Sequence, residues 1–191
     1  MARRKDHTRE ELTELAVEAG RKLVAEGGPQ ALTARKVAAK MGYTPGTLYN
    51  LFENIDALTA AINIRSMEAF ADTIETVMER KTDTSARLRG IARAYLDFHR
   101  DSPHLWSLLF ANPLDYHSQT YHQAIHRIFD QVVAATRPLT TDPAAARRKA
   151  KLLWATLHGI CLLQQSGKLN VSEADATEEL VAEFLKPFLK Y

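Results

Sequence analysis

The sequence predicts an all-α protein of about nine helices, and three observations carry that expectation. Apolar residues recur at helical spacing along nearly the whole chain. No convincing alternating strand pattern appears. Capping and helix-breaking residues cut the chain into segments of helical length.

The first helix opens with a capping box, Thr8 with Glu11, and carries Leu12, Leu15, Ala16, Ala19 and Leu23 on one face until Gly27-Gly28-Pro29 ends it. Thr33 caps a short helix bearing Ala34, Val37, Ala38 and Met41, and Gly42 suits the left-handed residue that closes it. Thr44-Pro45 reads as cap and first turn of a second short helix, running to Asn50 or Leu51. A long helix starts at Asn54 or Asp56 and reaches about Arg80, with Leu58, Ile62, Met67, Phe70, Ile74, Val77 and Met78 as its stripe. Thr82-Asp83-Thr84 separates it from a helix ending near Asp101. Ser102-Pro103 starts the next, which stops near Asn112-Pro113. Three more follow: about Asp115 to Arg137, Asp142-Pro143 to Ser166-Gly167, and a last one from Ser172 that Pro187 disturbs near its end.

Composition narrows the function. The 191 residues are 46% apolar, with 25 basic and 23 acidic side chains, so a substantial core is affordable and disorder is excluded. The longest near-apolar run, Leu152 to Leu163, is about 12 residues and contains His158, against roughly 20 for a membrane span. The basic start Arg3-Arg4-Lys5 meets Glu10-Glu11 without an apolar segment, so neither export nor a membrane partner is expected. The single cysteine, Cys161, fits a reducing cytoplasm. Charge is uneven, because Thr33 to Phe52 holds Arg35, Lys36 and Lys40 and no acidic residue. Such a local excess points to a polyanion, although a solvated face would look the same.

Residues 33–51 are the informative stretch. Two short helices around Met41-Gly42-Tyr43 fit a helix-turn-helix, whose second helix enters the major groove. Val37, Ala38 and Leu48 can pack the pair onto the first helix, leaving Thr44, Thr47, Tyr49 and Asn50 to face outward. Pro45 presets the first helical turn, and Gly46 permits close approach to a backbone. An ordinary helical hairpin has the same spacing.

The residue string from Ala31 to Phe52, with Leu32-Thr33, Val37-Ala38, Gly42 and Thr44-Pro45-Gly46-Thr47-Leu48-Tyr49, closely resembles the DNA-binding region of TetR-type transcriptional regulators. The likeness covers about residues 8–62. It departs at two places: the family often has His where this chain has Leu51, and usually Lys where it has Ile55. That Lys is a phosphate contact in the family, so the contact is absent here or supplied by Asn54, and Ile55 is not expected to touch DNA. The resemblance implies phosphate contacts from Thr33 and Arg35 and a recognition surface of Thr44, Pro45, Gly46, Thr47, Tyr49 and Asn50. Tyr49 suits a phosphate better than a base, since its hydroxyl is a single donor or acceptor. Asn50 reads adenine or is merely solvated, and Arg3, Arg4 and Lys5 form a minor-groove arm or a plain basic tail.

By the same resemblance, residues 1–55 are the DNA-binding domain, of three helices, and 56–191 a ligand-sensing and dimerisation domain. Trp154-Ala155-Thr156-Leu157-His158-Gly159, with the stretch Ser102 to Phe110, is similar to the Trp-His-Gly class of TetR C-terminal domains. The all-round apolar character of Leu152 to Leu163 predicts a helix buried in several directions. Ala155 and Gly159 permit a close helix crossing, and with Leu180, Phe184 and Phe188 they are the expected homodimer interface. Tyr95, Phe98, Trp106, Phe110, Trp154 and His158 are candidates to line an apolar effector site, each with a plain core role as the alternative.

His122 and His126 are four apart, a spacing that can hold zinc, with His117 nearby, but no Cys or carboxylate set completes a site. No metal or cofactor is therefore expected. No nucleophile elbow, phosphate-binding Gly-rich loop or His-Glu-x-x-His motif supports an enzyme. The expected function is a homodimeric regulator, most readily a repressor, that binds double-stranded operator DNA and is released by a small hydrophobic effector. The alternative is an all-helical adaptor or enzyme whose DNA-binding motif is non-functional.

Overall fold

The computed structural model describes residues 7–111, 119–170 and 176–189. Within them the chain forms α1 (Arg9–Gly27), α2 (Ala34–Met41), α3 (Pro45–Leu51), α4 (Ile55–Arg80), α5 (Thr84–Asp101), α6 (Pro103–Ala111), α7 (Gln119–Thr136), α8 (Pro143–Gln165) and α9 (Thr177–Phe188). Single 3-10 turns at Pro29–Ala31 and Arg137–Leu139 complete the described elements, and no strand occurs among them. The expected starts at Asp115 and Ser172 and the stop at Asn112-Pro113 lie outside the described residues.

Local chemistry sets these boundaries. The Glu11 N–H donates to Thr8 Oγ1 (3.2 Å) while the Thr8 N–H donates to Glu11 Oε2 (2.9 Å), the reciprocal pair that starts α1. Thr33 Oγ1 accepts from the Lys36 N–H at 3.3 Å to start α2. Gly42 closes α2 at φ 78, ψ 26, and the Tyr43 N–H returns to the Ala38 carbonyl at 2.9 Å. Asn54 Oδ1 caps α4 through the Ala57 N–H (2.8 Å), and Asp142 caps α8 through Ala144 and Ala145. Thr44 differs: its hydroxyl makes no cap and lies 3.3 Å from that of Thr47.

Packing groups the elements into two compact units, one comprising residues through Met67 with Ser102–Gln123, the other Glu68–Asp101 with Ala124–Tyr191. In the first, Ala16, Val17, Val24, Val37, Leu48, Phe52, Leu58 and Ile62 share one apolar core with Leu105 and Leu108 of α6. The amide of Asn63 donates to the Leu108 carbonyl (3.4 Å), and His104 Nδ1 lies 3.0 Å from the Ala25 carbonyl. Thus α6 belongs, by packing, with the helices before it, a placement its sequence position does not announce.

In the second unit, α5 buries Leu88, Ile91, Tyr95 and Leu96, while α8 buries Ala146, Ala150, Leu153, Leu157 and Cys161. Helix α9 contributes Val181, Leu185 and Phe188. The expectation that Leu152 to Leu163 is buried in several directions is not met within one chain. With 3.6 residues per turn, Leu152, Ala155, Gly159, Leu162 and Leu163 share the face opposite the buried stripe, and Leu152 is 59% and Leu162 51% exposed.

Leu48 is 3% exposed at the centre of the first core. Leu48→Ala should lower unfolding stability by about 2–5 kcal/mol, the range for truncating a packed leucine, as read by chemical denaturation. A change below about 0.5 kcal/mol would contradict its place in that core.

Candidate nucleic-acid interface and polar cluster

The sequence of α2 and α3 divides cleanly between the core and the surface. Val37, Ala38 and Leu48 are buried, whereas Thr33, Arg35, Thr44, Pro45, Gly46, Tyr49 and Asn50 are exposed and Thr47 is half-buried. The outward residues follow from helical periodicity, because Leu48 points down and its neighbours must point away. Tyr49 is 56% exposed, an unusual position for a large ring with nothing to cover it. Among the described residues a Cβ placed on Gly46 would meet only Thr44 Oγ1, at 3.7 Å, so none of them requires glycine there.

Charge on this face is less than the sequence count implies. Lys40 Nζ donates to both carboxylate oxygens of Glu26 (3.1 and 3.2 Å), whereas Arg35 and Lys36 form no ion pair among the described residues. Ile55 packs against the core with Leu51, which accounts for an apolar side chain in each departing position. Asn54, weighed as a substitute phosphate contact, has its carbonyl oxygen engaged as the α4 cap. The ring of His7 lies 6.4 Å from that of Tyr43, and its Nδ1 is 3.5 Å from Glu11. Arg3, Arg4 and Lys5 lie outside the described residues.

The six expected effector-site residues fall into both units. Trp106 is 2% exposed and packs on Phe110 (5.0 Å between centroids) in the first unit. In the second, Tyr95 Oη is 3.0 Å from His158 Nδ1, joining α5 to α8. Phe98 stacks on Phe70, which also meets the Tyr95 ring edge-on, and Trp154 lies 6.3 Å from His158. Sequence reasoning missed Phe70 and His99 as members of this group. The signal was present: Tyr95 and His99 are four apart on α5, on the same helical face. Burial holds the His99 and His158 imidazoles below their ordinary pKa, and charge on His99 lowers His158 further.

Of the expected interface residues, Ala155 and Gly159 lie on the outward face of α8, and a Cβ on Gly159 would meet nothing within 4 Å. Leu180 and Phe184 are half-buried. Phe188 is already packed within the chain, 5.2 Å from Phe184 and beneath Lys149 Nζ at 4.9 Å. His122 and His126 are exposed on α7, and no group of three metal-ligating side chains occurs among the described residues; His117 lies outside them. Burial pushes the Cys161 thiol up to about 11, which suppresses the reactive thiolate. No described helix is long and apolar enough to cross a membrane.

A short, solvent-facing helix held from below in a helix-turn-helix defines a DNA-binding transcriptional regulator. Residues 16–62 match the family of bacterial regulatory proteins of the tetR type, and residues 88–186 match the tetracyclin repressor-like C-terminal domain. The chain belongs to the TetR family, whose members bind DNA and usually act as dimers. It is 27% identical over 152 residues to an uncharacterized HTH-type transcriptional regulator of Mycobacterium tuberculosis, covering 78% of this chain and 68% of the relative. Its fold is similar to that of a protein with unknown function from Rhodococcus sp. RHA1, with TM-score 0.81 and 20% identity over 100% of this chain and 98% of the other. A TetR-family transcriptional regulator from Streptomyces coelicolor matches at TM-score 0.67 and 20% identity, covering 95% and 98%.

The two lowered imidazoles tie stability to pH. Below the ordinary value of 6.5 the unfolded histidines take up protons that the folded ones resist, so the contribution is complete above that value and lost as pH falls toward the lowered ones. The melting temperature should fall between about pH 7.5 and pH 5.5, and the double change His99→Gln, His158→Gln should shrink that fall. An undiminished fall in the double variant would assign it to other groups.

Proposed function

We propose that this regulator represses transcription by binding, as a homodimer, a quasi-palindromic operator, and that a small, largely apolar effector releases it. The observation that carries the DNA half is the exposed row from Thr44 to Asn50 on a helix anchored by buried Leu48. In this reading residues 1–55 contact DNA and 56–191 sense and dimerise. Thr33, Arg35 and Tyr49 hold phosphates, while Thr44, Thr47 and Asn50 face base edges with Pro45 and Gly46 against the backbone. A cytoplasmic location goes with a chromosomal target, and no catalytic role forms part of the reading.

The dimer is supported by the outward face of α8. Leu152, Ala155, Leu162 and Leu163 form an apolar strip exposed in one chain, with half-buried Gly159 on the same face, and the proposed seam adds Leu180 and Phe184 of α9. The effector is placed at Tyr95, Phe98, Trp154 and His158, where aromatic rings surround a few polar atoms. Trp106 and Phe110 drop out of this proposal, because Trp106 fills the first unit's interior. An effector releases DNA only by binding the non-DNA conformation more tightly, so operator must weaken effector binding by the same factor.

Selection from random DNA should return two related half-sites centred about 34–36 Å apart; a single asymmetric half-site would sink the reading. Tyr49→Ala should weaken binding about ten- to a hundredfold on every sequence, the value of one hydrogen bond to a charged phosphate, and unchanged affinity would reject its role. Gly46→Ala should keep or raise stability by up to about 1 kcal/mol while lowering operator affinity, which separates a DNA role from a folding one.

Sedimentation velocity tests the dimer. Wild type should sediment as a dimer at micromolar concentration, whereas Gly159→Leu and Phe184→Asp should each shift it toward monomer. Since a Cβ at 159 meets no atom of the described residues within 4 Å, Gly159→Leu should remain folded by circular dichroism. A folded wild-type monomer would contradict the seam.

A further inference from the structure

We propose that His7 is a further DNA contact, held beside the start of α3, and that its imidazole takes up a proton as it meets a backbone phosphate. The inference rests on the reading of α3 as the DNA face and adds a proton-linked contact at one end of it.

Position comes first. Tyr43 ends the turn between α2 and α3, directly before Thr44, and its N–H bond to the Ala38 carbonyl fixes it there. The His7 ring lies against it, with 6.4 Å between centroids and an interplanar angle of 58°. His7 directly precedes the Thr8 cap of α1, and its Nδ1 is 3.5 Å from Glu11 Oε2, the oxygen that accepts from the Thr8 N–H. Two elements of the first unit therefore hold the ring: the start of α1 and the turn that leads into α3. The His7 side chain is 25% exposed, which leaves an edge open to solvent. A duplex laid on the exposed row that begins at Thr44 passes the end of α3 where Tyr43 and His7 stand.

Charge gives this corner its character. The ionisable groups in contact with the His7 ring are Glu11 of α1 and Tyr43 of the turn. Glu11 is fixed in place because it closes the capping box, and its carboxylate is 59% exposed. A carboxylate so close to the DNA face repels a phosphate backbone unless a cation stands beside it. Protonated His7 offsets that charge through Nδ1 and keeps the Nε2–H to donate to phosphate, whereas the neutral ring has a single N–H for both partners. Neighbouring anions favour the protonated imidazole, and a duplex brings a dense row of them. The balance is one proton, taken from solvent on binding and returned on release. Imidazole is the side chain that makes this exchange near neutral pH.

The test measures binding of the full-length protein to a random-sequence duplex of about 30 base pairs, by fluorescence anisotropy at fixed ionic strength between pH 8 and pH 6. Random sequence suffices, because phosphate contacts are made on any duplex. Wild-type affinity should rise about three- to tenfold over that range, and the salt slope should be steeper by about one at pH 6 than at pH 8. His7→Gln should flatten both changes. His7→Lys carries its charge at every pH tested, so at pH 8 it should bind about as tightly as wild type does at pH 6. Thermal melts of both variants verify folding. A pH dependence undiminished in His7→Gln, or a His7→Lys no tighter than His7→Gln at pH 8, overturns the inference and leaves the α3 reading standing. Failure of the folded wild type to bind duplex at any pH overturns both.

Discussion

Everything in the first unit depends on one constraint: α3 is too short to hold itself. Seven residues cannot sustain a helix in water, so its direction is set by Leu48 lodged among Val37, Phe52 and Leu58. That anchor, with Leu51 packed beside it, leaves Pro45, Gly46, Tyr49 and Asn50 to the outside, including a tyrosine left in water. Leu105 and Leu108 share the same core, so a segment more than fifty residues downstream packs into the core that holds α3. The helix that fixes α3 from afar also sits in sequence just after the polar face of α5.

The second unit shows the converse economy. Helix α8 is apolar almost all round, yet one chain covers only the stripe from Ala146 to Cys161. Three roles are thus separated by angle around a single helix: an interior stripe, an outward strip and a flank bearing Trp154 and His158. The Trp-His-Gly string acquires a physical meaning from this. Its Trp and His stand on the flank one turn apart, and its Gly belongs to the outward strip, where no atom of the described residues requires it.

Much of this was legible in the sequence, because short-range chemistry wrote it. The Thr8–Glu11 box, the Thr33 cap, the left-handed Gly42 and the Asp142 cap each act within a few residues, and helix boundaries follow them closely. The division of α2 and α3 into inward Val37, Ala38 and Leu48 and an outward remainder came from periodicity alone. What escaped depends on distant pairing. The membership of α6 in the first core, the Lys40–Glu26 pair and the meeting of Phe70 with Tyr95 all join residues that no local pattern links. Trp106 and Trp154 illustrate the same limit. Both are tryptophans in apolar helices, yet one is wholly interior and the other half in water, because only the three-dimensional partner decides.

The Lys40–Glu26 pair bears on how such a protein searches a chromosome. A lysine already neutralised by its own chain displaces fewer condensed counterions from a duplex, so it adds little to adhesion on arbitrary sequence. Random sites outnumber the operator enormously, and each increment of indiscriminate adhesion removes free molecules from the pool that can occupy it. On the proposed operator-binding reading, a Lys40 engaged by Glu26 would add less to residence on irrelevant DNA and leave more copies at liberty to scan.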